Sequence, residues 1–134
     1  PPLRSNTDKK ALQEGLQDGT IDAICSHHEP LAKTAKQAPF AECKPGISNF
    51  DTFMGLACQL VKEGILTPEQ LVEKIALNPA KIAGIEASYH QTGGAVLVDP
   101  SLTWTVTKES MISQGKNTPF INSELTGKVE QVYF

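Results

Sequence analysis

Apolar residues recur at three- and four-residue intervals in several separate stretches of the chain, and this spacing predicts helices. The widest stripe is Phe50, Phe53, Met54, Ala57, Leu60 and Val61, which predicts a core-facing helix over about residues 50–63, ended by Gly64. Leu71, Val72, Ile75 and Ala76 form the face of another helix. It opens on Thr67-Pro68-Glu69-Gln70, a threonine cap with proline at the first helical position and a glutamine completing a capping box. Asn78-Pro79 repeats the cap-then-proline arrangement for a short helix closed by Gly84. Near the start, Ala11, Leu12, Gly15 and Leu16 share one face of a helix over about 8–18. Asn6 or Thr7 is its expected cap and Gly19 its stop.

Elsewhere the period shortens. Residues 21–26 are expected to form a strand, and the uncharged run Ala23-Ile24-Cys25 suits burial on both faces. A helix, a short turn and a buried strand make an α/β unit of a parallel sheet or barrel. Residues 27–48, with their prolines, glycines and lysines, read as a long loop, placed where barrel active sites are built. Beyond Gly84 the chain turns strand-like. Residues 95–99 and 104–106 are predicted as short strands, 108–113 as a helical turn, and 125–129 as a turn into a last strand ending near Tyr133. A strand-rich tail of this size is too thin for a sheet core of its own.

Composition narrows the classes. The 134 residues fit one ordinary domain, and 12 basic against 15 acidic residues give a net charge of −3. Scattered charge of this sign offers no electrostatic footprint for nucleic acid. No apolar run reaches membrane-spanning length, and Pro1-Pro2-Leu3-Arg4 has no apolar signal region, so a cytoplasmic location is expected. The three cysteines, 25, 43 and 58, leave one unpaired in any disulfide scheme and read as reduced thiols. The chain lacks an initiator methionine and reads as a fragment.

The candidate chemistry sits where the first strand ends, at Ser26-His27-His28-Glu29-Pro30-Leu31. Together with Pro1-Pro2-Leu3-Arg4, Asp18-Gly19-Thr20-Ile21-Asp22, Pro39-Phe40, Pro45-Gly46-Ile47, Asn78-Pro79-Ala80 and Lys116-Asn117-Thr118-Pro119-Phe120, it resembles the dihydroorotases common in bacteria. These belong to the metal-dependent amidohydrolases. The resemblance implies an α/β fold: the C-terminal portion of a TIM barrel (1–85) plus strands of a small accessory β-domain (86–134). It implies ring opening or closure of a cyclic amide, between carbamoyl aspartate and dihydroorotate. In active members zinc acidifies water and polarises the carbonyl, while an aspartate at the end of the last barrel strand shuttles the proton.

The family pattern there is like Thr-Asp-His-Ala-Pro-His. On this chain His27 takes the aspartate position and Leu31 takes that of the substrate-contacting histidine; His28 matches the retained histidine. A histidine beside dications would act as a ligand or be repelled as a cation, and Leu31 cannot hydrogen-bond. Glu29 could share the face of His27, although a solvated loop carboxylate is its plainer use. Adjacent His27 and His28 point to opposite faces of a strand, and His90 stands alone, so no metal or other cofactor is expected in this chain. By the resemblance, the family's metal-binding histidines lie upstream of Pro1. The resemblance also places Pro45-Gly46 where the family has a loop whose backbone contacts substrate, with Pro45 in place of the usual phenylalanine. Arg4 is expected in a structural salt bridge and Trp104 in a core.

No residue is therefore expected to be catalytic, and Leu31, Pro45 and Gly46 are read as a vestigial substrate site. The resemblance extends to noncatalytic dihydroorotase-like subunits that assemble with the aspartate carbamoyltransferase catalytic subunit in pyrimidine biosynthesis, and this scaffold role leads. An active dihydroorotase with an altered proton shuttle and a binding module using exposed barrel surface are the alternatives. Self-association, or binding of the missing barrel half, is expected of the chain by itself.

Overall fold

Local capping chemistry sets where the helices begin. In the computed structural model, which describes residues 4–85 and 94–133, helix α1 spans Asn6–Gln17. Its cap is Ser5, not Asn6 or Thr7. The Ser5 hydroxyl accepts the Asp8 N–H while the Asp8 carboxylate accepts the Ser5 N–H, a reciprocal pair neither later residue forms. Helix α2 spans Phe50–Lys62, and Gly64 leaves it at φ +70°. Helix α3, Pro68–Val72, opens on the capping box of Thr67 and Gln70.

At Asn78 the expectation fails. Helix α4, Asn78–Ile82, is joined to α3 by a π-helical turn, Glu73–Leu77, and Asn78 itself is in helical conformation. No cap is needed inside a continuous rod, and the Asn78 side chain instead donates to the Asp22 carbonyl at 2.9 Å.

Residues 21–26 are extended but form no strand. A strand requires a neighbour to take its backbone bonds, and among the described residues none pairs with 21–26; a parallel bridge joins His28 to Ile47 just beyond the segment. Cys25 is exposed rather than buried on both faces. The helices hold this segment instead: Ile21 N–H donates to Gly15 O and Ile24 N–H to Lys74 O. The loop that follows contains two 3₁₀ turns, Lys33–Lys36 and Phe40–Glu42.

The tail is an antiparallel pair, β1 (Ala95–Thr105) and β2 (Glu124–Tyr133). The two short strands expected at 95–99 and 104–106 are one strand with an irregularity between Asp99 and Thr103. There Asp99 Oδ1 accepts the N–H groups of Ser101 and Leu102. Gly127 lies inside β2 rather than in a turn before it, at φ +100°. A Cβ there would come within 2.7 Å of Cys58 Sγ, so the missing side chain lets β2 close on α2. Residues 108–110 form a turn, with Thr107 and Ser110 exchanging hydrogen bonds, in place of a helical turn over 108–113.

Leu16, Ala57, Leu66 and Leu71 form the buried core, joined by Ile21, Ile24, Leu60 and Ile75. Val106 and Met111 are buried apart from that cluster. No helix among the described residues is long and apolar enough to cross a membrane.

Candidate functional site

The extended segment delivers residues 26–31 to the N-terminus of α2. Two long-range hubs then fix their course.

The first is His28. Its Nδ1 accepts the N–H of Asn49 at 3.1 Å and of Phe50 at 2.9 Å, two of the donors that a helix start leaves without intrahelical partners. Nδ1 must therefore carry the lone pair and Nε2 the proton, which points at Ser113 Oγ, 3.3 Å away. The Phe50 ring packs edge-on against the imidazole, with centroids 5.8 Å apart. Asn49 Nδ2 donates back to Ser26 O at 3.0 Å.

The second is Asn117, within the motif Lys116-Asn117-Thr118-Pro119-Phe120. Its Oδ1 accepts the N–H of Leu31 at 2.8 Å, and its Nδ2 donates to Glu29 O at 3.0 Å and Gly46 O at 3.2 Å. Its carbonyl accepts the Ser48 N–H at 3.1 Å. One amide thus ties together the segment after His28, the loop at Gly46 and the approach to α2. The only signal for it was its place in Lys116-Asn117-Thr118-Pro119-Phe120. Asp51 completes the frame: its Oδ1 accepts the N–H groups of Ile112 at 2.7 Å and Ser113 at 3.3 Å. Burial pushes the Asp51 carboxyl up, but the hydrogen bonds from Ile112 and Ser113 together outweigh it and hold the group below its ordinary value.

The remaining candidates fall around this frame. His27 is exposed and has φ +44°, a left-handed conformation uncommon outside glycine. The Glu29 side chain lies over Gly46, where a Cβ would meet its carboxylate at 2.6 Å, and Gly46 has φ +123°. Glu29 is half-buried in the loop. Leu31 is half-buried beside Gly115, and Pro45 is exposed. The Asn117 amide joins the backbones of Leu31 and Gly46, and Pro45 is the chain neighbour of Gly46. Arg4 is exposed, and no ion pair involves it among the described residues; a guanidinium in water gains little from a surface partner. Trp104 is half-buried, its Nε1 donating to Gly127 O at 3.1 Å, with the Lys128 ammonium 5.4 Å from the ring centroid. His90 lies outside the described residues.

A metal does not fit these residues. Both ring nitrogens of His28 are engaged within the protein, leaving His27 and Glu29. Among the described residues, no three His, Cys, Asp or Glu side chains gather as a ligand group. An open apolar cleft of about 420 Å³ runs along the extended segment, lined by Ala23, Ile24, Phe50, Phe53, Ile75 and Ile82.

The fold defines the class first: an α/β chain shaped like a C-terminal part of hydantoinase and dihydroorotase amidohydrolases. The dihydropyrimidinase of Brevibacillus agri superposes on 99% of the chain with a TM-score of 0.89 at 22% identity, over 31% of its own length. The inactive dihydroorotase-like domain of the Chaetomium thermophilum CAD-like multifunctional protein matches 98% of the chain with a TM-score of 0.67 at 25% identity, over 35% of that chain. In sequence the chain is dihydroorotase-like. It is 44% identical to the dihydroorotase of Syntrophus aciditrophicus over 132 residues, which is 96% of this chain. The chain spans 31% of the length of that relative. No protein-family model matches it.

Proposed function

We propose that these residues belong to a noncatalytic dihydroorotase homologue that serves as an assembly subunit for aspartate carbamoyltransferase in pyrimidine biosynthesis. In this reading residues 1–85 are the last βα units of a TIM barrel and 86–134 the C-terminal share of an accessory β-domain. One observation carries it. The frame around residues 26–31 is complete, with the His28 ring and the Asn117 amide hydrogen-bonded, while the positions of the family's proton-shuttling aspartate and substrate-contacting histidine hold His27 and Leu31. A fold outlives its chemistry when it is still needed as a scaffold. The inactive dihydroorotase-like domain that shares the fold gives the reading a precedent. The open apolar cleft beside the extended segment suits coverage by the rest of the barrel.

The test is turnover of dihydroorotate and of carbamoyl aspartate by the full-length polypeptide. Loss of the proton-shuttling carboxylate lowers the rate by roughly 10² to 10⁴, so turnover at least that far below active dihydroorotases is expected. Co-sedimentation with the aspartate carbamoyltransferase catalytic subunit should accompany it. A normal rate for the family ends the proposal.

A further inference from the structure

The rod from Pro68 to Ile82 is wide in its middle turn, Glu73–Leu77. Single π turns inside helices have identifiable causes. Here the cause is Pro79. In an unbroken α-helix its ring would collide with the Ile75 carbonyl, and it has no N–H to donate.

The wide turn leaves one carbonyl without a partner. The Asn78 N–H, which α-helical register would give to Lys74 O, donates five residues back to Glu73 O. In π register the donor to Lys74 O would be residue 79, a proline. The Lys74 carbonyl is therefore free, and it accepts the Ile24 N–H at 2.9 Å. The same residue gives a second bond: Lys74 is only 7% exposed, and its ammonium donates to Ile21 O. Asn78 Nδ2 adds a third, to Asp22 O at 2.9 Å. The π turn and the residue that follows it thus grip residues 21, 22 and 24 of the segment that runs directly into His27 and His28.

We propose that Pro79, the π turn it forces, Lys74 and Asn78 form a positioning bracket for the site. The bracket holds residues 21–24 against the rod and sets the backbone so that His28 meets the first amides of α2. Lys74 is a positioning residue here, acting through the backbone of 21–24. The inference concerns geometry and goes beyond the scaffold reading, since the same bracket would serve an active site.

The experiment compares Pro79→Ala, Lys74→Met and Asn78→Ala in the intact polypeptide. Amide exchange at Ile24 and the imidazole ¹⁵N resonances of His28 are the readouts. Pro79→Ala supplies an N–H at residue 79 and removes the ring, so the rod closes toward regular α-helix and recaptures the Lys74 carbonyl. Helix content holds or rises. Exchange at Ile24 accelerates at least tenfold, and the His28 resonances move away from the pure Nε2–H tautomer. Lys74→Met moves the same resonances, and Lys74→Arg restores them. Unchanged Ile24 exchange and His28 resonances in Pro79→Ala and Lys74→Met overturn the proposal. So does a uniform acceleration of exchange across the core, which marks general destabilisation instead of local release. If Pro79→Ala does not fold, Lys74→Met and Asn78→Ala decide by the same two readouts.

Discussion

At the scale of single residues, the site is governed by two side chains that hold backbone. Asn117 satisfies both ends of its amide on loops that have no regular structure to pair with. Asn117→Ala strands one N–H and two carbonyls and should cost about 1–3 kcal/mol, measured by urea unfolding. Asn117→Asp should cost more than alanine, because a carboxylate oxygen then faces the carbonyls of Glu29 and Gly46. Equal loss in the two variants would show that the amide is not the tie. His28→Ala removes the acceptor for the Asn49 and Phe50 amides, and a loss of similar size is expected, about 1–3 kcal/mol. His28→Asn, which offers an amide oxygen near Nδ1, should recover part of it. Sequence reading reached His28 through its family match but not its partners, because nothing local connects residue 28 to residue 113.

At the scale of elements, Asp51 links the first turn of α2 to the backbone at 112–113. Its folded pKa lies below the unfolded value of about 3.9. The ionised form therefore contributes stability that is fully present above that value and is lost as pH falls through the lower folded one. Between about pH 5 and pH 2 the protein should lose more unfolding free energy than Asp51→Asn does. Urea midpoints across that range check it, and parallel curves would remove Asp51 from the acid response. Where α2 meets β2, contact depends on Gly55 and Gly127, each facing the other element with no Cβ between. Gly127→Ala meets both a positive φ and the Cys58 side chain, and should lower the thermal midpoint by several degrees, a cost of about 1–3 kcal/mol. Gly19→Ala, with the same sign of φ and open space around it, separates backbone strain from the steric part.

For the whole molecule, the balance of buried and exposed apolar surface decides behaviour. Phe50 and Ile82 are each 69% exposed beside the apolar cleft. Contiguous surface of this kind seeks cover. The 134-residue chain by itself should self-associate, with the weight-average mass rising with concentration in sedimentation velocity. A compact monomer at high concentration would refute this.

What the sequence by itself determined is what nearest neighbours along the chain decide. The stripe of α2, the Thr67–Gln70 capping box and the positive-φ stops at Gly19, Gly64 and Gly84 rest on contacts within a turn or two, which spacing reports directly. The substitutions at His27 and Leu31 were equally legible, being matters of residue identity. Tertiary structure alone decided the rest. Residues 21–26 look like a strand in composition, yet whether they pair depends on a neighbour that spacing does not describe. Asn78-Pro79 carries the signature of a cap and instead sits in a continuous rod, because the proline there widens a turn rather than starting one. The joins of Asn117 to Leu31, of Ser113 to His28 and of Ile24 to Lys74 cross 86, 85 and 50 residues of chain. Contacts at such separations leave no period in the sequence, because their energy is collected only once the chain has folded back on itself.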